Sequence, residues 1–478
     1  MFSFVEGFSC ALPDHLQLRP AIFFHTMRGE VMWPRLVASK LLRKTIGSNN
    51  FVADFPGNTY SFLDLPTLDL EPVHSPKILL TDHHDTQKFK VFVSTWNVGG
   101  VAPTEDLNID DLLDTSNTTC DIYVLGFQEV VPLRASNVLG SDKKKISTKW
   151  NSLIRRTLNK KSYDRNYNKN NNNDNLNEKQ RMTKGKKSNR ESSMIQPEFR
   201  CLISKQMVGI MISVWVRSDL HPFFRNPSVS CVGCGIMGCL GNKGSVSVRF
   251  QFHETSFCFV CVHLASGGRE GDERLRNSNA TEIFSRTSFP TAMGPSLDLP
   301  KTILDHDRVV LLGDLNYRIS LPESETRLLV HRKDWNTLLE NDQLRMELMD
   351  GQAFEAWHEG IIGFPPTYKY QLNCDEYYGC GHLGTKAKKK RAPAWCDRII
   401  WTGEGLKQLL YTRCETRLSD HRPVKAMFSI EVKVSRTAYQ SFCLSERFDY
   451  RTRASLDFHS DDEYSGRLSF RIKSNMTP

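Results

Sequence analysis

A short stretch in the second half of the chain combines an apolar run with polar residues at a fixed spacing. In VVLLGDLNYRI, residues 309–319, the apolar run is followed by Asp314, Asn316 and Arg318, each two positions apart. Because side chains alternate between the two faces of a strand, we expect these three to share one face. A carboxylate and an amide held side by side can orient a water molecule and take its proton. The stretch therefore predicts hydrolysis, with Asp314 and Asn316 as the water-activating pair and Arg318 as support.

Several other apolar segments also end on polar or titratable side chains. Any one of them has an ordinary explanation, since a strand-end Asp often caps a turn. If the strands share a sheet edge, however, their ends converge on one cleft, where the side chains can act together. The residues at these ends are Asn97, Glu129, His263, Asp397, Asp420 and His421.

This set of side chains suits the hydrolysis of a phosphate ester. The reaction needs a neutralised phosphate, an aligned water molecule and a proton acceptor. Glu129 is a hard oxygen ligand and Asn97 a neutral one, which is typical of a Mg²⁺ site. His263 and His421 can donate to phosphoryl oxygens, and Asp397 can fix the tautomer or charge of a histidine.

The elements that would position these residues begin near Phe89. From there, short β-type runs alternate with glycines, turns and amphipathic helical stretches such as residues 325–348. Several runs are uniformly apolar, as in strands that are covered on both faces. The pattern predicts an α/β fold in which helical layers cover a central pair of sheets.

Length and composition define the expected domain organisation. The chain has 478 residues, of which 39% are hydrophobic, enough for one large catalytic domain with extensions. We predict a basic N-terminal extension at 1–85, a catalytic domain at 86–432 and a polar tail at 433–478. An Asn/Lys-rich insert at 159–198 is predicted to be a disordered surface loop. Residues 159–191 hold ten Lys and Arg against four Asp and Glu, so most of the net charge of +9 lies there and does not indicate nucleic-acid binding.

The sequence also predicts where the protein works. No apolar run reaches about 18 residues, and the N-terminus lacks the basic start and apolar core of a secretory signal. Thirteen scattered cysteines fit a reducing compartment better than a disulfide framework. We expect a soluble, intracellular, cytoplasmic protein. The basic run KAKKKR at 386–391 leaves peripheral contact with an anionic membrane, or a nuclear location, open.

Eight motifs, in this order, resemble those of the inositol polyphosphate 5-phosphatases, which belong to the deoxyribonuclease I-like superfamily of Mg²⁺-dependent phosphoesterases. The resemblance covers residues 89–432, and the N-terminal extension and the insert are similar to those of plant type I members. The motifs are WNVGG (96–100), GFQEVV (126–131), GNKGSVSVR (241–249), VHLASG (262–267), GDLNYRI (313–319), PPTYKY (365–370), RAPAWCDRIIW (391–401) and SDHRPV (419–424).

The resemblance implies a four-layer sandwich of two packed mixed β-sheets flanked by helices. It also implies a Mg²⁺-dependent signalling phosphatase that removes the 5-phosphate of an inositol ring. The substrates would be phosphoinositides, such as PtdIns(4,5)P2 and PtdIns(3,4,5)P3, or soluble inositol phosphates, such as Ins(1,4,5)P3 and Ins(1,3,4,5)P4. The choice between soluble and lipid substrates, and the oligomeric state, stay open.

The same resemblance implies roles for individual residues. Glu129 would hold Mg²⁺, with Asn97 next to it. Asp314 would activate the attacking water, aided by Asn316, and His421 would contact the scissile phosphate. The implied catalytic set consists of Asp314, Asn316, His421, His263, Asp397 and Asp420, and the residues implied to bind the neighbouring 4-phosphate are Tyr368, Lys369 and Arg398.

Two other functions remain open at this point. A phosphodiesterase of the same superfamily that acts on nucleic acid would share Glu129, Asp314 and His421, but would not need PPTYKY or PAWCDRI. A non-catalytic phosphoinositide-binding scaffold would tolerate the loss of the metal and water groups, yet all are present. The stretch GCLGNKGS does not match a nucleotide-binding loop, and we interpret it as a glycine-rich turn before a strand, with a position of Lys243 near the site left open.

Overall fold

The computed structural model describes residues 50–55, 85–114, 119–132, 143–160, 198–235, 241–290, 299–351, 353–379 and 391–434. Several predictions fall outside these residues and are not tested by them. They concern the rest of the N-terminal extension, almost all of the insert, the basic run up to residue 390 and the tail beyond residue 434.

The first sheet has six strands in the order β11-β12-β1-β2-β4-β3. Strands β1 and β2 run parallel, with Asn97 opposite Gln128 at their carboxyl ends, and the remaining pairs are antiparallel. The strands are β1 (Asp85–Asn97), β2 (Ile122–Gln128), β3 (Phe199–Met207), β4 (Ile210–Arg217), β11 (Leu406–Arg413) and β12 (Val424–Val434).

The second sheet also has six strands, in the order β5-β6-β7-β8-β10-β9. Strands β7 and β8 are parallel and the other pairs antiparallel, so this sheet is mixed as well. The strands are β5 (Phe224–Gly233), β6 (Gly244–Phe252), β7 (Thr255–His263), β8 (Arg308–Asp314), β9 (His358–Glu359) and β10 (Asp397–Thr402).

The two sheets pack face to face around one apolar core that draws side chains from both. They approach each other closely at Gly126 of β2. A Cβ atom there would lie 2.8 Å from Leu312 Cδ1 and 2.9 Å from Cys261 Sγ, both in the other sheet. Because a Cβ atom would overlap these side chains, the close packing of the two sheets next to the strand ends favours glycine at this position.

Helices cover the outer faces of the sheets. Trp150 and Ile154 of α2 are buried against the first sheet, and Ile283 of α3 and Leu344 of α6 are buried against the second. The predicted four-layer α/β sandwich is confirmed. The helices are α1 (Asp110–Leu113), α2 (Lys143–Leu158), α3 (Asp272–Arg286), α4 (Glu323–Arg332), α5 (Trp335–Glu340) and α6 (Gln343–Asp350), with a 3₁₀ helix at Ser218–Phe223. Among the described residues, no helix has the length and apolar character to cross a membrane.

The amphipathic stretch at 325–348 is three short helices where the sequence suggested one helical pattern. Helix α4 ends at Arg332, and the next residue, Lys333, has a left-handed φ of 57°. The side chains of Asp334 and Asp342 then accept hydrogen bonds from the first turns of α5 and α6. Carboxylates that cap helix starts in this way divide an otherwise continuous helical pattern.

Residues 50–55, assigned to the N-terminal extension, lie against the catalytic domain. The backbone groups of Val52 and Ser204 exchange two hydrogen bonds, of 2.9 and 2.8 Å, so this segment adds an antiparallel bridge to the edge of β3. Asp54 forms an ion pair with Arg155, and Phe55 stacks on His221 with a centroid distance of 3.3 Å.

Candidate active site

The strand register brings the predicted catalytic residues into one row. Parallel pairing places His263, the last residue of β7, opposite Asp314, the last residue of β8. Antiparallel pairing places Asp397, the first residue of β10, opposite the same Asp314. All three side chains are buried. Because residues opposite each other on neighbouring strands face the same side of a sheet, the three converge on one edge of the cleft.

Asn97 joins this row to the other sheet. Its Nδ2 donates to Asp314 Oδ2 over 2.9 Å and lies 3.5 Å from Glu129 Oε1. Glu129 directly follows β2 and has a left-handed φ of 53°, which turns the chain at the sheet edge. Its carboxylate is 29% exposed, whereas Asn97 and Asp314 are almost fully buried. Glu129 therefore lies on the solvent-exposed side of the site.

Asp314 and Asn316 are adjacent, but a turn and not a strand holds them together. Strand β8 ends at Asp314, and Asn316 has a left-handed φ of 59°. The backbone N–H of Asn316 donates to Asp314 Oδ1 over 3.1 Å, and its side-chain amide donates to Leu264 O over 3.2 Å. Arg318 Nη2 donates to Asn316 Oδ1 over 2.6 Å, so Arg318 supports the pair as predicted.

His421 and Asp397 form a buried hydrogen-bonded pair. Nδ1 of His421 lies 2.8 Å from Asp397 Oδ2, and the same oxygen accepts from Thr367 Oγ1 over 2.7 Å. Nε2 of His421 lies 4.0 Å from Asp314 Oδ2. The pair thus fixes the orientation of the ring and turns Nε2 toward the catalytic row.

Charges inside the site shift the pKa values in opposite directions. Burial alone would lower the pKa of His421, but the carboxylates of Asp397, Asp314 and Asp420 raise it to about 9. Burial alone would raise the pKa of Asp314, yet the neighbouring side chains of His263, His421 and Lys243 hold it well below its usual range. At neutral pH the site therefore holds an ionised Asp314 beside a protonated His421.

Lys243 lies in the site, which was the alternative that the sequence left open for this glycine-rich turn. Nζ of Lys243 contacts Nε2 of His263, and His263 Nε2 lies 3.2 Å from Asp314 Oδ2. Burial lowers the pKa of Lys243 to about 8, although Asp314 and Glu129 oppose the shift. Burial, reinforced by Lys243, lowers the pKa of His263. A lysine with a pKa this close to neutrality, beside an ionised carboxylate, marks a functional position.

The predicted 4-phosphate residues are only partly together. The Tyr368 ring packs against the His421 ring in a tilted arrangement, with a centroid distance of 4.6 Å. Lys369 follows Tyr368 in the chain, and its Nζ is paired to Asp420. Arg398 is elsewhere, and its assignment to the substrate is corrected. Being next to Asp397 on β10, it points to the opposite face of the sheet. There it is fully buried and its guanidinium is bound by two carboxylates, Asp342 and Glu359.

Other supporting residues were not singled out from the sequence. Ser419 Oγ donates to Asn97 O over 2.7 Å and accepts from the backbone N–H of His421 over 3.2 Å. Thr367 supports Asp397 as described above. Both lie within recognised motifs, Thr367 in PPTYKY and Ser419 in SDHRPV, so membership of these motifs was the available signal.

The donor chemistry near Glu129 fits a hard divalent cation. Within the described part of the chain, no Lys or Arg pairs with its carboxylate. Oδ1 of Asn97 accepts one hydrogen bond, from Gly99 N, and a carbonyl oxygen has a second lone pair for a metal. Asp314, Asp397 and His421 also offer ligand atoms within 4.8 Å of one another. Since His421 Nδ1 and Asp397 Oδ2 already bond to each other, the Glu129 side fits better.

Comparisons with known proteins agree with this geometry. Residues 94–427 match the sequence profile of Endonuclease/Exonuclease/phosphatase family 2. The chain is 63% identical over 423 residues to type IV inositol polyphosphate 5-phosphatase 9 of Arabidopsis thaliana, covering 88% of this chain and 97% of the relative. It is 43% identical over 437 residues to type I inositol polyphosphate 5-phosphatase 8 of the same plant, covering 85% and 87%. Its relatives therefore include both a type I and a type IV enzyme.

One solved structure is similar over most of its length. It is the inositol polyphosphate 5-phosphatase domain of SPsynaptojanin in complex with inositol (1,4)-bisphosphate and a calcium ion. The TM-score is 0.58 and the sequence identity 29%, covering 78% of this chain and 94% of that one. Fold and site together define a phosphoesterase of the endonuclease/exonuclease/phosphatase class. Within that class, this chain belongs to the inositol polyphosphate 5-phosphatases, as the sequence motifs predicted.

Proposed function

We propose that the chain uses Mg²⁺ to hydrolyse the 5-phosphate of inositol polyphosphates and phosphoinositides, with Asp314 and His421 as the central catalytic pair. The observation that carries the proposal is the hydrogen bond from Asn97 to Asp314. It unites the ends of the two sheets and holds an ionised carboxylate opposite a protonated histidine. That combination supplies a proton acceptor and a cationic donor on either side of one phosphate.

Asp314 orients and deprotonates the attacking water. With one oxygen held by Asn97 and the other by Asn316 N, its carboxylate keeps a fixed direction. A carboxylate with a low pKa is a weak base toward free water. It becomes an effective acceptor as the new P–O bond forms, because the bound water then becomes strongly acidic.

His421 stabilises the charge that grows on the phosphoryl oxygens. Its Nδ1 is committed to Asp397, so Nε2–H is the donor that remains for substrate. Lys243 adds a second cationic group near the same carboxylate row. Both are buried or partly buried, which strengthens their interaction with an anionic transition state relative to water.

Glu129 and Asn97 would hold the Mg²⁺ ion. When bound there, the ion would act as a Lewis acid that offsets charge on the phosphoryl and leaving oxygens. Tyr368 and Lys369 would bind the neighbouring 4-phosphate beside His421, since an ammonium on the rim of the cleft suits a multiply anionic ring. Lipid substrates would be reached through peripheral contact with an anionic membrane surface.

The test is phosphate release by the purified full-length chain from four substrates. Ins(1,4,5)P3 and Ins(1,3,4,5)P4 are presented in solution, and PtdIns(4,5)P2 and PtdIns(3,4,5)P3 in vesicles, each with Mg²⁺ and with EDTA. We expect release of the 5-phosphate that depends on Mg²⁺ and is abolished in Asp314→Asn. Absence of release from all four with Mg²⁺ would overturn the proposal, and nicking of plasmid DNA instead would favour a nucleic-acid phosphodiesterase.

A further inference from the structure

Helix α3 carries a completely buried arginine, Arg276. Within the described part of the chain no carboxylate forms an ion pair with it, and burial, reinforced by the nearby Arg318, lowers its pKa. Its guanidinium lies over the Tyr317 ring, 5.4 Å from the centroid. A buried charge is costly unless it is paired, and apolar side chains of similar volume often replace such charges without loss of stability. Packing alone therefore does not account for an arginine at this position.

The hydrogen bonds of Arg276 fix the side chain of Gln343, the first residue of α6. Nη2 of Arg276 donates to Gln343 Oε1 over 2.7 Å. The same oxygen accepts from the backbone N–H of Arg318 over 2.9 Å, and the backbone N–H of Gln343 donates to Arg318 O over 2.9 Å. Because both donors need an oxygen, the Gln343 amide cannot turn its NH2 group toward Arg318. Arg276 therefore holds Gln343 as the partner of both backbone polar groups of Arg318.

Arg318 passes this restraint to the catalytic carboxylate. Its Nη2 donates to Asn316 Oδ1 over 2.6 Å, and its Nε donates to Asn316 O over 3.0 Å. The backbone N–H of Asn316 in turn donates to Asp314 Oδ1 over 3.1 Å. Asn316 has a left-handed backbone, which a non-glycine residue keeps only where its surroundings hold it there. A continuous series of hydrogen bonds thus joins the middle of α3 to Asp314.

We propose that Arg276 is a positioning residue for the hydrolysis, because it acts through Gln343 on the turn that orients Asp314. The inference rests on the proposed 5-phosphatase function and adds a residue that lies outside the cleft. Without the guanidinium, the Gln343 amide is free to rotate, and the turn no longer holds Asn316 firmly against Asp314. The attacking water is then aligned less well. We expect kcat to fall, whereas KM, which depends on the side chains that bind the phosphates, should change little.

Steady-state hydrolysis of Ins(1,4,5)P3 measures the effect in Arg276→Met and in Gln343→Met, whose side chain is only partly buried. In both variants kcat should fall by about 5- to 20-fold, with KM within about twofold of the wild type. Arg276→Lys keeps a donor for Gln343 Oε1 and should restore most of the activity. The matched control is Arg249→Met. Arg249 is also buried and without an ion-paired carboxylate among the described residues, but it donates to Pro290 O and Pro300 O, so kcat should stay within about twofold.

A double-mutant cycle distinguishes positioning from general support of the fold. In Asn316→Ala the link to Asp314 is already broken, so adding Arg276→Met should lower kcat by less than about twofold. If Arg276→Met lowers kcat by the same factor in both backgrounds, or if Arg249→Met causes an equal loss, Arg276 only stabilises the fold and the inference is overturned.

Amide hydrogen exchange separates the inference from the proposed function, because it needs no substrate. In Arg276→Met, exchange at the Arg318 amide should become faster, whereas exchange at Leu312, within β8, should match the wild type. Unchanged exchange at Arg318 would overturn the inference, whether or not the chain is active. Faster exchange in a chain that hydrolyses none of the inositol substrates would overturn the proposed function and leave the restraint on the turn standing.

Discussion

Asn97 and Asp314, at the ends of strands in different sheets, are joined by a hydrogen bond of 2.9 Å between Nδ2 and Oδ2. Both side chains are buried, and Asn97 O also accepts from Ser419 Oγ. The distance between the two sheet edges is thus set by polar groups of the site itself. Catalytic geometry and sheet packing therefore depend on each other at this point.

Asn97→Ala should lower kcat by about 10- to 100-fold, as is typical when a group that orients a catalytic residue is removed. The Asp314 carboxylate would lose one of the donors that fix its direction. Steady-state phosphate release measures the effect. The control is Thr95→Val, on the same strand as Asn97, which removes a buried hydroxyl that donates to Gln128 Oε1 of β2. Its kcat should stay within about threefold of the wild type. Similar losses in both variants would contradict a specific role for Asn97.

The pH profile should report the protonation of His421. Its raised pKa, about 9, means that it is protonated at neutral pH. We expect kcat/KM to fall as the pH rises through that value, after a first decrease near pH 8, where Lys243 loses its proton. Asp397→Asn removes the nearest carboxylate, so the alkaline limb should move to lower pH. Thr367→Val keeps the charge and removes only one hydrogen bond to Asp397, so it should move the limb much less. An unchanged limb in Asp397→Asn would exclude His421 as the titrating group.

Lys369→Gln should weaken substrates that carry a 4-phosphate more than those with a 5-phosphate alone. The ammonium of Lys369 pairs with Asp420 in the free protein, and Asp420 raises its pKa against the effect of burial, so it is charged at neutral pH. We expect kcat/KM to fall about tenfold or more with PtdIns(4,5)P2 and only slightly with PtdIns5P in matched vesicles. An equal loss on both lipids would contradict the assignment.

Particular residues show how far the sequence alone could lead. Polar side chains at strand ends predicted the site because parallel strands bring their carboxyl ends to one sheet edge. Arg398 was misassigned because neighbouring positions on a strand face opposite sides, and Asp397 already occupied the cleft side. The place of Lys243 stayed open because no periodicity determines where a glycine-rich turn directs a side chain. The spacing of Asp314 and Asn316 was read as a strand, whereas the left-handed φ of Asn316 is a local property of a turn.

Arg398→Met should destabilise the fold strongly. Arg398 is fully buried and compensates two carboxylates, Asp342 and Glu359, which are almost completely buried themselves. Removing the cation leaves them uncompensated, and we expect a loss of about 3–5 kcal/mol in the free energy of unfolding. Lys88→Ala, which breaks an exposed pair with Glu431, should cost less than about 1 kcal/mol. Urea unfolding measures both, and comparable losses would show that Arg398 acts mainly in another way.

The segment at 50–55 should behave as part of the catalytic domain and not as a free extension. Asp54 joins it to β3 in two ways, because its backbone N–H donates to Cys201 O and its Oδ2 accepts from Cys201 N over 2.8 Å. Asp54→Ala leaves the backbone N–H of Cys201 and the Arg155 guanidinium without their carboxylate acceptor. This should cost about 1–3 kcal/mol in the free energy of unfolding.

Amide hydrogen exchange tests the docking of this segment directly. In Asp54→Ala, exchange at Cys201 and Ser204 should become faster, since local opening exposes the edge of β3. Val52→Ala keeps the backbone bridge and changes a side chain that is 60% exposed, so its exchange should match the wild type. Such an edge is a site for unwanted strand pairing when it is uncovered. Deletion of residues 1–55 should therefore promote self-association in sedimentation experiments, and a monodisperse, unaltered deletion variant would show that the segment does not protect the sheet.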